Sequence, residues 1–173
     1  MTKDIYEGDR NNFRYVLGKK GNNPLICIGI NPSTAMPNDP DPTVGKVIKI
    51  ASDKGFDGWI MFNVYPQRAP DFKNLDKSPN KKYCEQNEKV IAREIQHVEN
   101  IHVLCAWGSL IENRDYLFEC LKKIYEIFQK RDNVEWLCIG KNKGGHPKHP
   151  LYAKVEELRE FDMDCYMKVW ATL

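Results

Sequence analysis

Two segments near opposite ends of the chain place chemically capable side chains directly after apolar runs. In one, Cys138-Ile139 opens into Gly140-Lys141-Asn142-Lys143-Gly144-Gly145-His146-Pro147-Lys148-His149-Pro150-Leu151-Tyr152. Glycines let the backbone come close to a ligand, lysines attract anions, and a histidine exchanges a proton near neutral pH. In the other, Leu25-Ile26-Cys27-Ile28-Gly29-Ile30 runs into Asn31-Pro32-Ser33-Thr34. There the proline fixes the turn and points the Asn31 amide out of the strand end, either to orient a water or a sugar or simply to cap the turn. Asn63 sits between Phe62 and Val64 at the end of a third apolar run, where an amide needs a partner. It either satisfies a neighbouring loop or reads a ligand edge with one donor and one acceptor.

Asp39-Pro40-Asp41-Pro42-Thr43 brings two carboxylates to a loop. Aspartate and proline are common helix-start residues, and a general-base or metal role for Asp41 is the sharper alternative. Arg68 follows the run that ends at Val64, where it can clamp a phosphate or carboxylate or make an ordinary surface ion pair. The glycine-lysine stretch lacks the Gly-Lys-Ser/Thr ending of a triphosphate-binding loop, so that reading is excluded. Its lysines, Lys143 among them, form with His146, Lys148 and His149 the most basic short window of the chain. Such a window suits a nucleic-acid backbone, or a solvated loop.

At 173 residues, 42% hydrophobic and 29% charged, the chain buries a full core without metals or disulfides. No apolar run approaches the roughly 20 residues that span a bilayer, and the polar start lacks a signal peptide's apolar centre. A soluble, cytoplasmic protein with no membrane partner is therefore expected. The net charge of +2 does not by itself announce nucleic-acid binding. The six cysteines, Cys27, Cys84, Cys105, Cys120, Cys138 and Cys165, contain no C-x-x-C pair, so no metal site and no cofactor are expected. Cys27, Cys105 and Cys138 read as small buried core residues.

The elements that must position these groups follow from apolar periodicity. Continuous runs at residues 25–30, 59–64, 101–107 and 134–139 read as strands buried on both faces. Helical patterns lie between and after them, at 43–54, 80–98, 109–130 and 152–160, with Thr43, Ser109 and the Ser78-Pro79-Asn80 stretch as start signals. The expected fold is a three-layer α/β/α sandwich on a mostly parallel four-stranded sheet. It forms a single domain over residues 13–173, preceded by a flexible tail over 1–12. Phe13–Leu17 reads as an added edge strand, and Cys165–Trp170 as a strand or docked extension. Ligands of such sheets bind at the carboxyl ends of the strands, which selects the loops at Gly29, Asn63, Gly108 and Gly140.

Those loops resemble the ordered motifs of the uracil-DNA glycosylase superfamily. The residues that carry the likeness are Gly29-Ile30-Asn31-Pro32, Phe62-Asn63-Val64, Ala106-Trp107-Gly108-Ser109 and His149-Pro150-Leu151. Across its length the chain also resembles the bacterial and phage family labelled domain of unknown function 1643. That likeness rests on Asn31-Pro32-Ser33-Thr34-Ala35, Asp41-Pro42-Thr43, Asn63, Arg68-Ala69, Ala106-Trp107-Gly108 and His149-Pro150-Leu151-Tyr152. The first resemblance implies a glycosylase-like architecture and cleavage of an N-glycosidic bond. Asn31 matches a water-positioning residue, Asn63 the amide that reads a flipped base, and His149 the histidine that stabilises the leaving base. Asp41 completes the catalytic candidates, and Ser33, Arg68, Trp107, Gly108 and Lys143 join Asn63 for binding a nucleic acid or nucleotide. The alternative is a non-catalytic binding module on the same fold, using Arg68 and the lysine loop. The sequence departs from the superfamily at Leu151-Tyr152, where a small residue usually presses on DNA. No aromatic stands at the base-stacking position, leaving Phe56, Tyr65 or Trp107 for that role.

Overall fold

The computed structural model describes residues 3–155 and 157–172. Its centre is four parallel strands, β3 (Pro24–Gly29), β4 (Gly58–Asn63), β5 (Ile101–Cys105) and β6 (Val134–Cys138), in the order β4-β3-β5-β6. These are the four expected strands. Period-two alternation sorts their side chains onto two faces. Leu25 and Cys27 join one cluster with Val44, Val47 and Ile50 of helix α1 (Pro42–Asp53). Ile26 and Ile28 join another with residues of α2 (Lys81–Ile95), α3 (Asp115–Gln129) and α4 (Met163–Trp170). Each fully buried Ile, Leu or Val on these faces contributes roughly 1.5–3 kcal/mol. No helix among the described residues is long and apolar enough to cross a membrane.

The sheet is larger than expected, with seven strands among the described residues rather than four, ordered β1-β2-β4-β3-β5-β6-β7. The flexible-tail expectation is corrected over Lys3–Gly8, which form β1, paired antiparallel to β2 (Arg14–Lys20) from Lys3 opposite Lys20 to Gly8 opposite Arg14. The signal was present: Ile5 packs on one core cluster and Tyr6 on the other. β2, expected as an edge strand, is covered on one side by β1 and on the other by β4. The helix expected at 152–160 is absent from its described part, residue 156 lying outside the described residues. A single 3₁₀ turn at Pro150–Tyr152 is followed by β7 (Arg159–Glu160), which supplies β6 with its outer hydrogen-bonding partner. The last segment is the helix α4 rather than a strand.

Helix starts follow capping chemistry. Asp41, not Thr43, caps α1, accepting from Val44 N at 2.9 Å with Pro42 in the first turn. Asn80 caps α2 through Tyr83 N. The helix expected from residue 109 begins only at Asp115. Gly108–Asn113 are 3₁₀, and Arg114 is extended, its guanidinium held by the carbonyls of Leu75 (3.0 Å) and Asp76 (3.2 Å).

β2 and β4 approach so closely that a Cβ on Gly18 would lie 2.3 Å from the Trp59 carbonyl oxygen and 2.9 Å from the Ile60 Cα. Backbone cannot yield as a flexible side chain can. Gly18→Ala is therefore expected to cost about 3 kcal/mol and to lower Tm by roughly 6–12 °C, as read by thermal denaturation. An unchanged Tm would mean that the pairing of β2 with β4 is wrong.

Candidate functional site

The carboxyl ends of β3, β4 and β5 and the loop after β6 enclose a cavity of about 500 Å³, within the size range of small-molecule sites. Asn31, Ser33, Asn63, Trp107, Gly108 and His149 all line it, so six of the nine candidate residues share one cavity. Among the described residues no Asp or Glu lines it. A separate cavity of about 200 Å³ beside β1 and β2, lined largely by Ile5, Leu17, Met36 and Trp59, contains none of the six.

Asn31 is fixed by the neighbouring loop. Its Nδ2 lies 3.0 Å from the Pro32 carbonyl and 3.2 Å from those of Gln67 and Ala69. Three acceptors around one end assign that end as the donor, and the Oδ1 is left as an acceptor without a hydrogen bond among the described residues. The turn is closed by Tyr65 N on the Ile30 carbonyl (2.9 Å) and Ala69 N on the Pro32 carbonyl (3.0 Å).

Asn63 is the most unusual group in the cavity. It is 1% exposed, and neither its Oδ1 nor its Nδ2 has a hydrogen-bond partner. Its backbone carbonyl, by contrast, accepts from Asn87 Nδ2 at 2.9 Å. A buried amide left without partners costs free energy, about 1–3 kcal/mol on mutational scales, and each such group needs an explanation.

His149 is half-buried, and its Nδ1 accepts from Leu151 N at 3.3 Å, which leaves the proton on Nε2. Burial pushes its pKa below the ordinary 6.5 against the opposing pull of the Asp41 carboxylate. The ring is therefore a neutral Nε2–H donor at neutral pH. Gly108 suits the turn beside it through its backbone: its φ is +64°, a conformation L side chains rarely adopt, whereas a Cβ there would make only an ordinary 3.6 Å contact with the Cβ of His149.

The other candidates do different work. Asp41 does not line the cavity. Its carboxylate caps α1 and also accepts from Ala35 N at 3.2 Å, which occupies the oxygens that a general base would need. Arg68 is buried and donates to the carbonyls of Asp9 (2.7 Å), Ser33 (2.7 Å) and Ala35 (3.0 Å), so it is an internal tie rather than a phosphate clamp. Lys143 lies outside the cavity on an exposed loop. Asn142 there accepts from Gly144 and His146 N–H through its Oδ1 (3.0 and 3.1 Å) and from Gly145 N–H through its carbonyl (3.0 Å). The glycine-lysine loop thus consumes its own amides and is not an anion cradle.

Trp107 borders the cavity but turns its indole into the core, donating to the Tyr166 hydroxyl at 3.0 Å and meeting Phe161 edge-on. Phe56 and Tyr65 do not line the cavity. The other lining aromatic is Phe72, half-buried in a 3₁₀ turn at Phe72–Asn74, with the Arg114 guanidinium 5.8 Å from its centroid. The second residue missed from sequence is Arg14, a lining residue that is 1% exposed. A charged residue heading the apolar run Tyr15-Val16-Leu17 was the available signal for it.

The loop that carries His149 is held from behind. The Tyr166 hydroxyl accepts from Trp107 and meets His146 Nδ1 at 2.8 Å, while His146 Nε2 pairs with Glu112. His146 is fully buried and packs 4.4 Å from the Trp170 ring. Tyr166→Phe leaves the Trp107 N–H and the His146 Nδ1 without partners. It is expected to cost about 2 kcal/mol and roughly 4–8 °C in Tm. A variant as stable as the parent would show that the hydroxyl is not the junction of this network.

In comparison with known proteins, a family model described as "Protein of unknown function (DUF1643)" matches residues 14–151, which include every described residue lining the cavity. No curated protein and no solved structure matches the chain.

Proposed function

The chain belongs to the DUF1643 family, whose description assigns no activity, and from the cavity itself we propose that it is a glycosylase-type hydrolase acting on a nucleobase in a nucleic acid or nucleotide. One observation carries this reading. The buried Asn63 amide offers one unused donor and one unused acceptor beside a neutral histidine N–H donor, in a cavity large enough for a base. An amide presents the complement of a base edge that carries a carbonyl and a ring N–H. On this reading the fold is a three-layer sandwich of the uracil-DNA glycosylase type, and the loop order Asn31, Asn63, Gly108, His149 supports that.

The chemistry follows from charge. As the N-glycosidic bond breaks, its electron pair goes to the base and positive charge builds on the sugar C1′. The His149 Nε2–H stabilises the developing base anion without first giving up a proton. Phe72 supplies the ring against which the base stacks. A water held by the Asn31 Oδ1 attacks C1′, and the proton it releases neutralises the departing base, so that the products are a sugar hydroxyl and the free base. An electron-deficient C1′ does not need a strongly basic partner, which agrees with a cavity that no carboxylate lines among the described residues.

The test is incubation with oligonucleotides carrying uracil, hypoxanthine or other altered bases, and with the free nucleosides, scoring abasic sites or released base. Asn31→Ala and His149→Ala are each expected to lower the rate by about 10²–10³-fold. No product from any base, or a rate that ignores both substitutions, would sink the proposal.

The lowered pKa of His149 sets the pH dependence. Activity should persist as the pH falls past 6.5 and decline only at lower pH, where protonation of Nδ1 breaks the bond from Leu151 N–H. The unfolded chain takes up this proton first, so stability should also fall as the pH drops through 6.5. An acid limb above 6.5 in the rate profile would exclude His149 as the neutral donor.

A further inference from the structure

Arg14 stands at the cavity with less compensation than a buried charge normally has. Its Nε is buried without a partner, and its Nη1 has only a long 3.4 Å bond to the Ala35 carbonyl. That carbonyl is already taken at 3.0 Å by the Arg68 Nη1. Two guanidinium groups therefore converge on one oxygen, and among the described residues neither forms an ion pair with a carboxylate. Asp41, whose charge acts on Arg14, is tied to the amides of Ala35 and Val44. Burial chiefly, and then the Arg68 charge, pull the Arg14 pKa down to about 10, which still leaves it cationic at neutral pH. The strand register adds position: Leu17 of β2 lies opposite Met61 of β4, which sets Arg14 level with the end of β4 where Asn63 sits.

We infer that Arg14 is the anchor of an oxyanion subsite on the floor of the cavity, so that the natural ligand brings a phosphoryl group to Arg14 as well as a base edge to Asn63. A guanidinium with a free Nε edge is the shape that takes two oxygens of such a group. An anion here would neutralise the incompletely compensated charge, and no lining carboxylate among the described residues would repel it. The identification of the anion as phosphoryl rests on the nucleobase reading above, whereas the oxyanion subsite does not. The phosphoryl group belongs either to a free mononucleotide or to a nucleic-acid backbone.

Calorimetric titration and thermal shift on the full chain test this. The ligands are the common nucleosides, their 5′-monophosphates, a short single-stranded oligodeoxynucleotide and inorganic phosphate. The expected result is that a monophosphate or the oligonucleotide binds at least about tenfold tighter than the parent nucleoside (a factor of ten being about 1.4 kcal/mol), and that millimolar phosphate raises Tm. Arg14→Gln should abolish both effects, and Arg14→Lys should retain part of them. Tighter binding of the oligonucleotide assigns the phosphoryl group to a backbone, and tighter binding of the mononucleotide assigns it to a free nucleotide. If phosphate raises Tm while no nucleoside binds, the subsite stands and the nucleobase reading falls. If nucleosides bind and phosphate adds nothing, the subsite falls and the nucleobase reading stands. Should Arg14→Gln fail to fold, the wild-type comparison and the lysine variant still decide. A wild-type Tm that neither phosphate nor a monophosphate moves overturns the inference, as does a phosphate effect undiminished in Arg14→Gln.

Discussion

The Arg68 guanidinium ties together the three segments on which the cavity depends. It takes the carbonyls of Asp9, after β1, and of Ser33 and Ala35, after β3, while its own backbone belongs to the loop after β4. Its Nη2 also reaches the Tyr6 hydroxyl at 3.3 Å. Carbonyls in these loops have no ladder partners, and a buried loop without a substitute for them would not hold one conformation. With Arg68 in place, the chain that carries Asn31 is pinned to the chain that follows Asn63. The price of that arrangement is a like charge beside Arg14.

Much of the central sheet was legible because β3, β4 and most of β5 are buried on both faces, and burial leaves an unmistakable apolar run, while β6 keeps enough of one despite its exposed Glu135. The loops after them could then be named in order, and Asn31, Asn63, Gly108 and His149 do meet at one cavity. Polar groups inside the fold were harder to read. Arg68 looks like a ligand clamp in sequence because nothing local reveals the carbonyls of residues 9, 33 and 35 that occupy it. Arg14 looks like a strand residue for the same reason. Asp41 followed the ordinary capping chemistry rather than the sharper reading, and Lys143 followed the ordinary behaviour of a charged loop.

Edges misled more than centres. Lys3–Gly8 alternate weakly and carry charge, as an exposed edge strand does, so they resemble a tail until the partner strand is known. Residues 152–160 have helical composition, yet the outer side of β6 is left without hydrogen bonds unless Arg159 and Glu160 pair with it. In both places a long-range backbone requirement overrode local preference.

Sheet order also carries a consequence in time. β2 pairs with β4 rather than with β3, and β5 inserts beside β3 after β4 has taken its other side. Nearly every ladder therefore joins residues far apart along the chain, a topology that folds slowly because loops must close before contacts repay them. On a ribosome the order is stricter. Tyr166, which meets both Trp107 and His146, emerges after every residue that lines the cavity. The nascent protein must hold its strand-end loops without that support until α4 has left the exit tunnel, and it is in that interval that the unfinished sheet edge is most exposed to wrong partners.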